Sequence, residues 1–211
     1  MQIVWVVPAV PALADWYAVA RGDRRTESWA KPATLVALIG AAVALGATDT
    51  SAGRWLLGGL VLGLAGDVFL LEKSDTRFRL GLAAFLVGHL AFVVAFWRLG
   101  VDPAGWSWWW GPVMFACLIA TRRVLPGAMR HGGRPLALPV AVYTVVIGAM
   151  VIMAFDTGEP LIALGAAVFA CSDSILAVDR FVRPRPWAPV AVMVTYHLGQ
   201  ALIVAGLLAA T

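Results

Sequence analysis

The chain has 211 residues, 61% of them hydrophobic and only 13% charged, with a formal net charge of +4. So little charge beside so much apolar surface excludes a water-soluble domain of this size; the reading is an all-α integral membrane protein, one transmembrane domain over residues 1–211. The basic balance implies no nucleic-acid partner, because anionic membrane lipids are sufficient to account for it.

In chain order, eight apolar stretches are predicted as helices: Ile3–Val19, Pro32–Ala47, Trp55–Leu71, Leu80–Trp97, Trp106–Thr121, Leu136–Phe155, Leu161–Val178 and Trp187–Ala210. Most approach the roughly 20 residues that cross about 30 Å of hydrocarbon, the second and fifth being short. The first ends on Ala18-Val19-Ala20, which looks like a cleavage site, but no Lys or Arg precedes it and Asp15 interrupts it, so a retained helix is expected. The second opens on Lys31-Pro32, and the third holds Asp67 in LLGGLVLGLAGDVFLL. In the fourth, His89 has Phe85 and Phe92 at helical spacing; it suits an interhelical donor and a proton carrier equally. Cys117 in the fifth and Cys171 in the seventh are far from any CxxC spacing and read as small apolar residues. The sixth carries Pro139 and Tyr143 on one face, and the seventh carries Asp173 in LGAAVFACSDSILAV. The eighth sets Tyr196 and Gln200 one turn apart, a spacing that suits orienting a water or glycerol hydroxyl and suits helix packing as well. Trp5, Trp29, Trp55, Trp97, Trp106, Trp108 to Trp110 and Trp187 lie near span ends, where tryptophan anchors helices at the interface.

Charge sets the orientation. The connections after the first, third, fifth and seventh stretches hold Arg21, Arg24, Arg25 and Lys31, then Lys73, Arg77 and Arg79, then Arg122, Arg123, Arg130 and Arg134, then Arg180, Arg183 and Arg185. The opposite side has only Arg54 and Arg98. Positive loops stay in the cytoplasm, so both termini are expected outside it, in a multi-pass protein of the cell membrane. At about 1.5 Å per helical residue, Asp67 lies roughly 6 Å and Asp173 roughly 8 Å inside the cytoplasmic ends of their helices, with Asp15 at similar depth. The polar residues of the spans thus collect in the cytoplasmic half.

A carboxylate in hydrocarbon costs several kcal/mol or is held protonated, so an intramembrane aspartate marks function by default. Two in matched positions suggest a shared site. Lys31-Pro32 and Arg134-Pro135 precede the two aspartates at similar intervals, Arg77-Phe78 and Arg180-Phe181 follow them, and His89 and His197 come later at similar distances. This pattern reads as two parallel four-helix halves, 1–104 and 105–211, although Ala-, Leu- and Val-rich helices resemble one another in any case. Each aspartate alone would also serve as a structural group bonded to a neighbouring helix, with Ser172, Ser174 or Tyr143 as partners.

Lys31-Pro32, Gly66-Asp67-Val68-Phe69-Leu70, Gly88-His89, Tyr143, Ser172-Asp173-Ser174, Arg180-Phe181, and Thr195-Tyr196-His197 with Gln200 together resemble the YhhN family of membrane proteins, whose animal members are lysoplasmalogenases. The likeness spans nearly the whole chain, and the GDVFL and SDS motifs in combination are its most specific part. His197 stands where the family often has another aromatic residue. The resemblance implies hydrolysis of the vinyl ether bond of a lysoplasmalogen to a fatty aldehyde and a glycerophospho-alcohol, the lysophospholipid entering sideways from the bilayer.

An enol ether is hydrolysed by protonating its β-carbon and capturing the resulting cation with water, which demands a placed acid and nearby negative charge. Asp67 and Asp173 are expected to meet over one buried wet pocket and divide those roles in either order, as paired carboxyls do in glycosidases. Lys31 would bind the lipid phosphate or pair with Asp67; snorkelling is its bland alternative. His89, Tyr143, Ser172, Tyr196 and Gln200 are supporting candidates, and Asp15, beside water or Arg21, reads as structural. Arg77 and Arg180, with Arg79 and Arg183, form a mouth where a phosphate would meet guanidinium groups, as ordinary positive-inside loops also do. With three histidines and no HxxxH or HExxH pair, no zinc site is expected, although Asp67, Asp173 and His89 or His197 would be the ligands of one. No glycine-rich phosphate loop or GxSxG motif is present, so neither a cofactor nor a serine nucleophile is expected. The rival from another class is a proton-coupled transporter of small lipids or solutes, using the same carboxylates between two repeats.

Overall fold

The computed structural model describes residues 2–72, 74–101 and 110–211. Within them the chain forms eight helices: α1 (Gln2–Arg21), α2 (Arg24–Ala44), α3 (Ser51–Leu70), α4 (Asp75–Leu99), α5 (Trp110–Gly132), α6 (Arg134–Asp156), α7 (Pro160–Phe181) and α8 (Ala188–Ala209). The expected anchors Trp106, Trp108 and Trp109, the predicted start of the fifth helix and the loop cation Lys73 lie outside the described residues.

Local chemistry accounts for the boundaries. Asp23 caps α2 by accepting from the amides of Arg25 and Thr26, Thr50 caps α3 through Gly53, and Ser74 caps α4 through Arg77. Gly22 and Gly133 take positive φ of 68° and 61° and let the chain reverse at the α1–α2 and α5–α6 links. Two predicted boundaries move. The Asp23 cap starts α2 at Arg24, so Lys31 sits inside the helix rather than at its first turn. Likewise α5 continues through Arg122, Arg123 and Arg130, which were expected in a loop.

Glycine seams bring the helices together. A Cβ on Gly88 would lie 3.2 Å from the Gly59 carbonyl across α3 and α4. One on Gly165 would lie 2.8 Å from the Gly199 carbonyl across α7 and α8. Small residues there let backbones approach, the way helices pack where hydrocarbon surrounds them. Leu56, Leu60, Phe92, Phe96, Met150, Phe169, Ile203 and Leu207 form the main core. Outward-facing Val10, Leu13, Val61, Val87, Leu118 and Val145 present apolar surface all round.

Among the described residues, six helices, α3 to α8, are long and apolar enough to cross a bilayer, which makes this a multi-pass membrane protein. Alternate connections gather at one end. Arg24 donates to the Leu71 carbonyl (3.2 Å), Arg180 pairs with Asp75 (3.0 Å), and the His131 ring packs edge-on to Phe181 (5.9 Å). This is the arginine-rich end of the bundle.

Candidate active site

Asp67 sits on α3, 1% exposed, between α2 and α8. Its Oδ1 lies 3.2 Å from Lys31 Nζ, and its Oδ2 accepts a 2.7 Å hydrogen bond from the Tyr196 hydroxyl. Lys31 is itself enclosed, 5% exposed, so the pair is a buried salt bridge rather than a snorkelling lysine and a stray acid.

Asp173 on α7 has different company. The Tyr143 hydroxyl from α6 donates to its Oδ2 at 2.5 Å, and His89 Nε2 from α4 stands 3.7 Å from the same oxygen. His89 Nδ1 is 2.6 Å from the Phe85 carbonyl. A carbonyl only accepts, so Nδ1 carries the hydrogen, and Nε2 is the ring nitrogen turned toward Asp173.

Aromatic rings join the two carboxyls into one layer. His89 packs edge-on to Phe169 (4.8 Å), Phe169 to Tyr196 (5.3 Å), and Tyr196 to Phe85 (5.8 Å). The two carboxyls have different immediate partners. Each acid has its own tyrosine, and only Asp173 lines either of the two principal cavities.

One cavity, about 360 Å³, runs among α4, α5, α6 and α7; Leu82, Val113, Cys117, Val140, Ile147 and Ala167 make it apolar, with Asp173, Tyr143 and Thr144 on its wall. The other, about 370 Å³, lies at the arginine-rich end and is lined by Glu27, Lys31, Glu72, Ser74, Asp179 and Arg180. Phe78 lines both.

The sequence model of the YhhN family matches residues 26–207, from the first turn of α2 almost to the end of α8. The chain belongs to the YhhN family. It is 35% identical over 157 residues to a lysoplasmalogenase of Mycobacterium tuberculosis (strain CDC 1551 / Oshkosh), covering 72% of this chain and 60% of that protein. To the lysoplasmalogenase TMEM86B of Homo sapiens it is 32% identical over 148 residues, covering 70% of this chain and 61% of the relative. The match thus spans about 60% of the length of these curated relatives. No solved structure matches the chain.

In this YhhN protein the other predicted residues separate. Ser172 donates to the Val192 carbonyl (2.9 Å) and Ser174 to the Ala170 carbonyl (2.7 Å), so neither partners Asp173 and Ser172 instead ties α7 to α8. Arg77 pairs with Glu72 (3.0 Å) on the surface. Arg180 reaches the polar cavity, paired with Asp75 and lying 4.0 Å over the Phe78 ring. Gln200 is buried, and neither of its polar atoms has a hydrogen-bond partner among the described residues. His197 Nδ1 accepts from Trp16 Nε1 at 3.0 Å.

Asp15 departs from its expected contact with water or Arg21. It is 0% exposed with both oxygens unbonded among the described residues, while Arg21 extends over the Tyr17 ring at 5.8 Å. Among the described residues, no group of three or more His, Cys, Asp or Glu is arranged to hold a metal ion. Sequence reasoning passed over Phe78 and Phe169. Phe78 had a signal in the Arg77-Phe78 echo of Arg180-Phe181, whereas one phenylalanine among many in an apolar helix gives Phe169 none.

Proposed function

We propose that this YhhN protein hydrolyses the vinyl ether bond of a single-chain alkenyl glycerophospholipid, releasing a fatty aldehyde and a glycerophospho-alcohol. The observation that carries the reading is Asp173, held by Tyr143 and facing an apolar cavity of about 360 Å³ in a chain similar to lysoplasmalogenases. That volume lies within the roughly 300–1,000 Å³ of small-molecule pockets.

A buried carboxylate needs a counter-ion to stay charged. Lys31 supplies one to Asp67, so Asp67 is the anion; Asp173, whose basic neighbour is a neutral-capable histidine, is the proton donor. Asp173 protonates the β-carbon of the alkenyl chain, water adds to the α-carbon while one of its protons returns to the Asp173 carboxylate, and the hemiacetal collapses to aldehyde and alcohol as its hydroxyl proton passes to the ether oxygen. The chain occupies the apolar cavity and the glycerophosphate the polar one, where Lys31 and Arg180 meet the phosphate. The positive-inside rule puts this end in the cytoplasm.

The halves 1–104 and 105–211 also make sense of the contacts. Asp67 on α3 is held by α2 and α8, and Asp173 on α7 by α6 and α4, which are the corresponding helices of the two halves. The same symmetry favours the transporter as second reading. Purified protein in detergent micelles, given an alkenyl lysolipid, should release aldehyde, and Asp173→Asn should lower the rate by about 10²–10⁴-fold. Micelles offer no compartments, so a transporter yields no aldehyde there, and that result ends the hydrolase reading.

A further inference from the structure

Phe78, in the first turn of α4, has a ring held from three sides. The Arg180 guanidinium carbon lies 4.0 Å over its face, an attractive cation–π contact, and Arg180 is itself tied to α4 through Asp75 at 3.0 Å. The Phe181 ring meets it edge-on at 5.9 Å. Behind it, Val124, Ala128, Leu136 and Phe181 form a small apolar core against which Phe78 and Leu82 pack. The ring is thus clamped between the start of α4 and the end of α7.

That clamp stands between the two cavities. The last turns of α7 give Leu176, Asp179 and Arg180 to the polar one and Asp173, Ala177, Val178 and Phe181 to the apolar one, while Phe78 lines both. Deeper along the same two helices, His89 of α4 meets Asp173 and Phe169 of α7. Distance along α7 identifies which part of a lipid would lie at the clamp. About 10 Å of helix, two turns, separates Asp173 from Arg180. An extended chain advances roughly 1.2 Å per bond, so the bonds from phosphorus to the β-carbon of an alkenyl glycerophosphate reach about 8 Å. A phosphate on Arg180 therefore brings the alkenyl group toward Asp173 and lays the middle glycerol carbon between them, against Phe78.

We infer that Phe78 is a specificity-determining residue that limits this site to lipids with one hydrocarbon chain. The free hydroxyl of a single-chain lipid fits beside the clamped ring, whereas an acyl chain on the same carbon needs the space the ring fills. Such discrimination works by a clash against the larger competitor and adds no contact to the smaller one. Phe78 supplies neither proton nor charge; it decides which lipid reaches Asp173. The inference rests on the seating proposed above, with the chain in the apolar cavity and the phosphate in the polar one.

Binding tests the filter apart from catalysis. Two saturated alkyl ether glycerophospholipids, one with a free middle hydroxyl and one with that hydroxyl acylated, compete at equal concentration for the purified protein in detergent, and native mass spectrometry reads which is retained. The wild type should prefer the single-chain probe by about tenfold or more, the scale on which a pocket rejects excess hydrocarbon. Phe78→Leu should weaken that preference and Phe78→Ala should remove most of it. In the aldehyde assay, the ratio of kcat/KM for an alkenyl lysolipid to that for its acylated counterpart should fall in the same order. Val113→Ala, in the same apolar cavity but on the first turn of α5, should leave both ratios unchanged. Melting temperatures identify a variant that fails to fold, and Phe78→Leu carries the test if Phe78→Ala does. A wild type that retains both probes equally would overturn the filter whatever the activity. Unchanged ratios in the folded Phe78 variants, or an equal fall in Val113→Ala, would overturn the role of Phe78. A wild type that selects the single-chain probe through Phe78 but releases no aldehyde condemns the hydrolase reading instead and leaves the filter standing.

Discussion

At the scale of single residues, a charged group enclosed by hydrocarbon stands or falls with its partner. Asp67→Asn keeps the shape and strands the Lys31 ammonium, which should cost about 3–5 kcal/mol of stability. Adding Lys31→Met to Asp67→Asn removes the stranded charge and should recover much of that loss. Thermal unfolding in detergent measures both, and equal melting temperatures for the single and double variants would refute a pairing at 3.2 Å. The polar residues Lys31, Asp67, His89, Tyr143, Asp173, Tyr196 and Gln200 were legible in the sequence because hydrocarbon makes any polar side chain conspicuous. Their partnerships were not, since Asp67 meets Tyr196 across 129 positions of chain.

At the scale of elements, glycine does two unlike things in these helices. At Gly199 a Cβ would come 2.8 Å from the Phe169 amide nitrogen, so Gly199→Val should force α7 from α8 and lower the melting temperature. At Gly40 a Cβ would meet nothing within 4 Å, so Gly40→Ala should be neutral or stabilising by up to about 1 kcal/mol. A comparable loss at both positions would contradict the seam. The start of α2 shows why boundaries were harder to read than spans. Pro32 looked like a first helical residue, yet Asp23 begins the helix earlier and so carries Lys31 inward to Asp67. Hydrogen bonds from the Thr26 hydroxyl and amide hold the Asp23 carboxyl below its usual range. A lowered folded-state value means the cap contributes fully above the unfolded value of about 4 and is lost as pH falls through the folded one. Asp23→Ala should therefore lower the melting temperature at neutral pH, with the difference shrinking on acidification below about pH 4.

At the scale of the whole molecule, the bundle separates a greasy compartment from a polar one, with Phe78 on the wall of each. Filling the apolar cavity with Ala167→Phe should shift preference toward shorter alkenyl chains, read as kcat/KM across a chain-length series. An unchanged profile would place the chain elsewhere. By itself the amino-acid sequence determined the class, the succession of apolar helices and the family, because hydrophobicity and residue type are properties of a string. Tertiary packing decided that Asp67 is paired with Lys31, that Asp173 lines the apolar cavity, and that the Asp15 oxygens turn inward without partners among the described residues. Those facts depend on rotation of each helix about its axis. In segments apolar on every side, no periodicity records that rotation; only the seams of glycine and the long-range polar contacts set it.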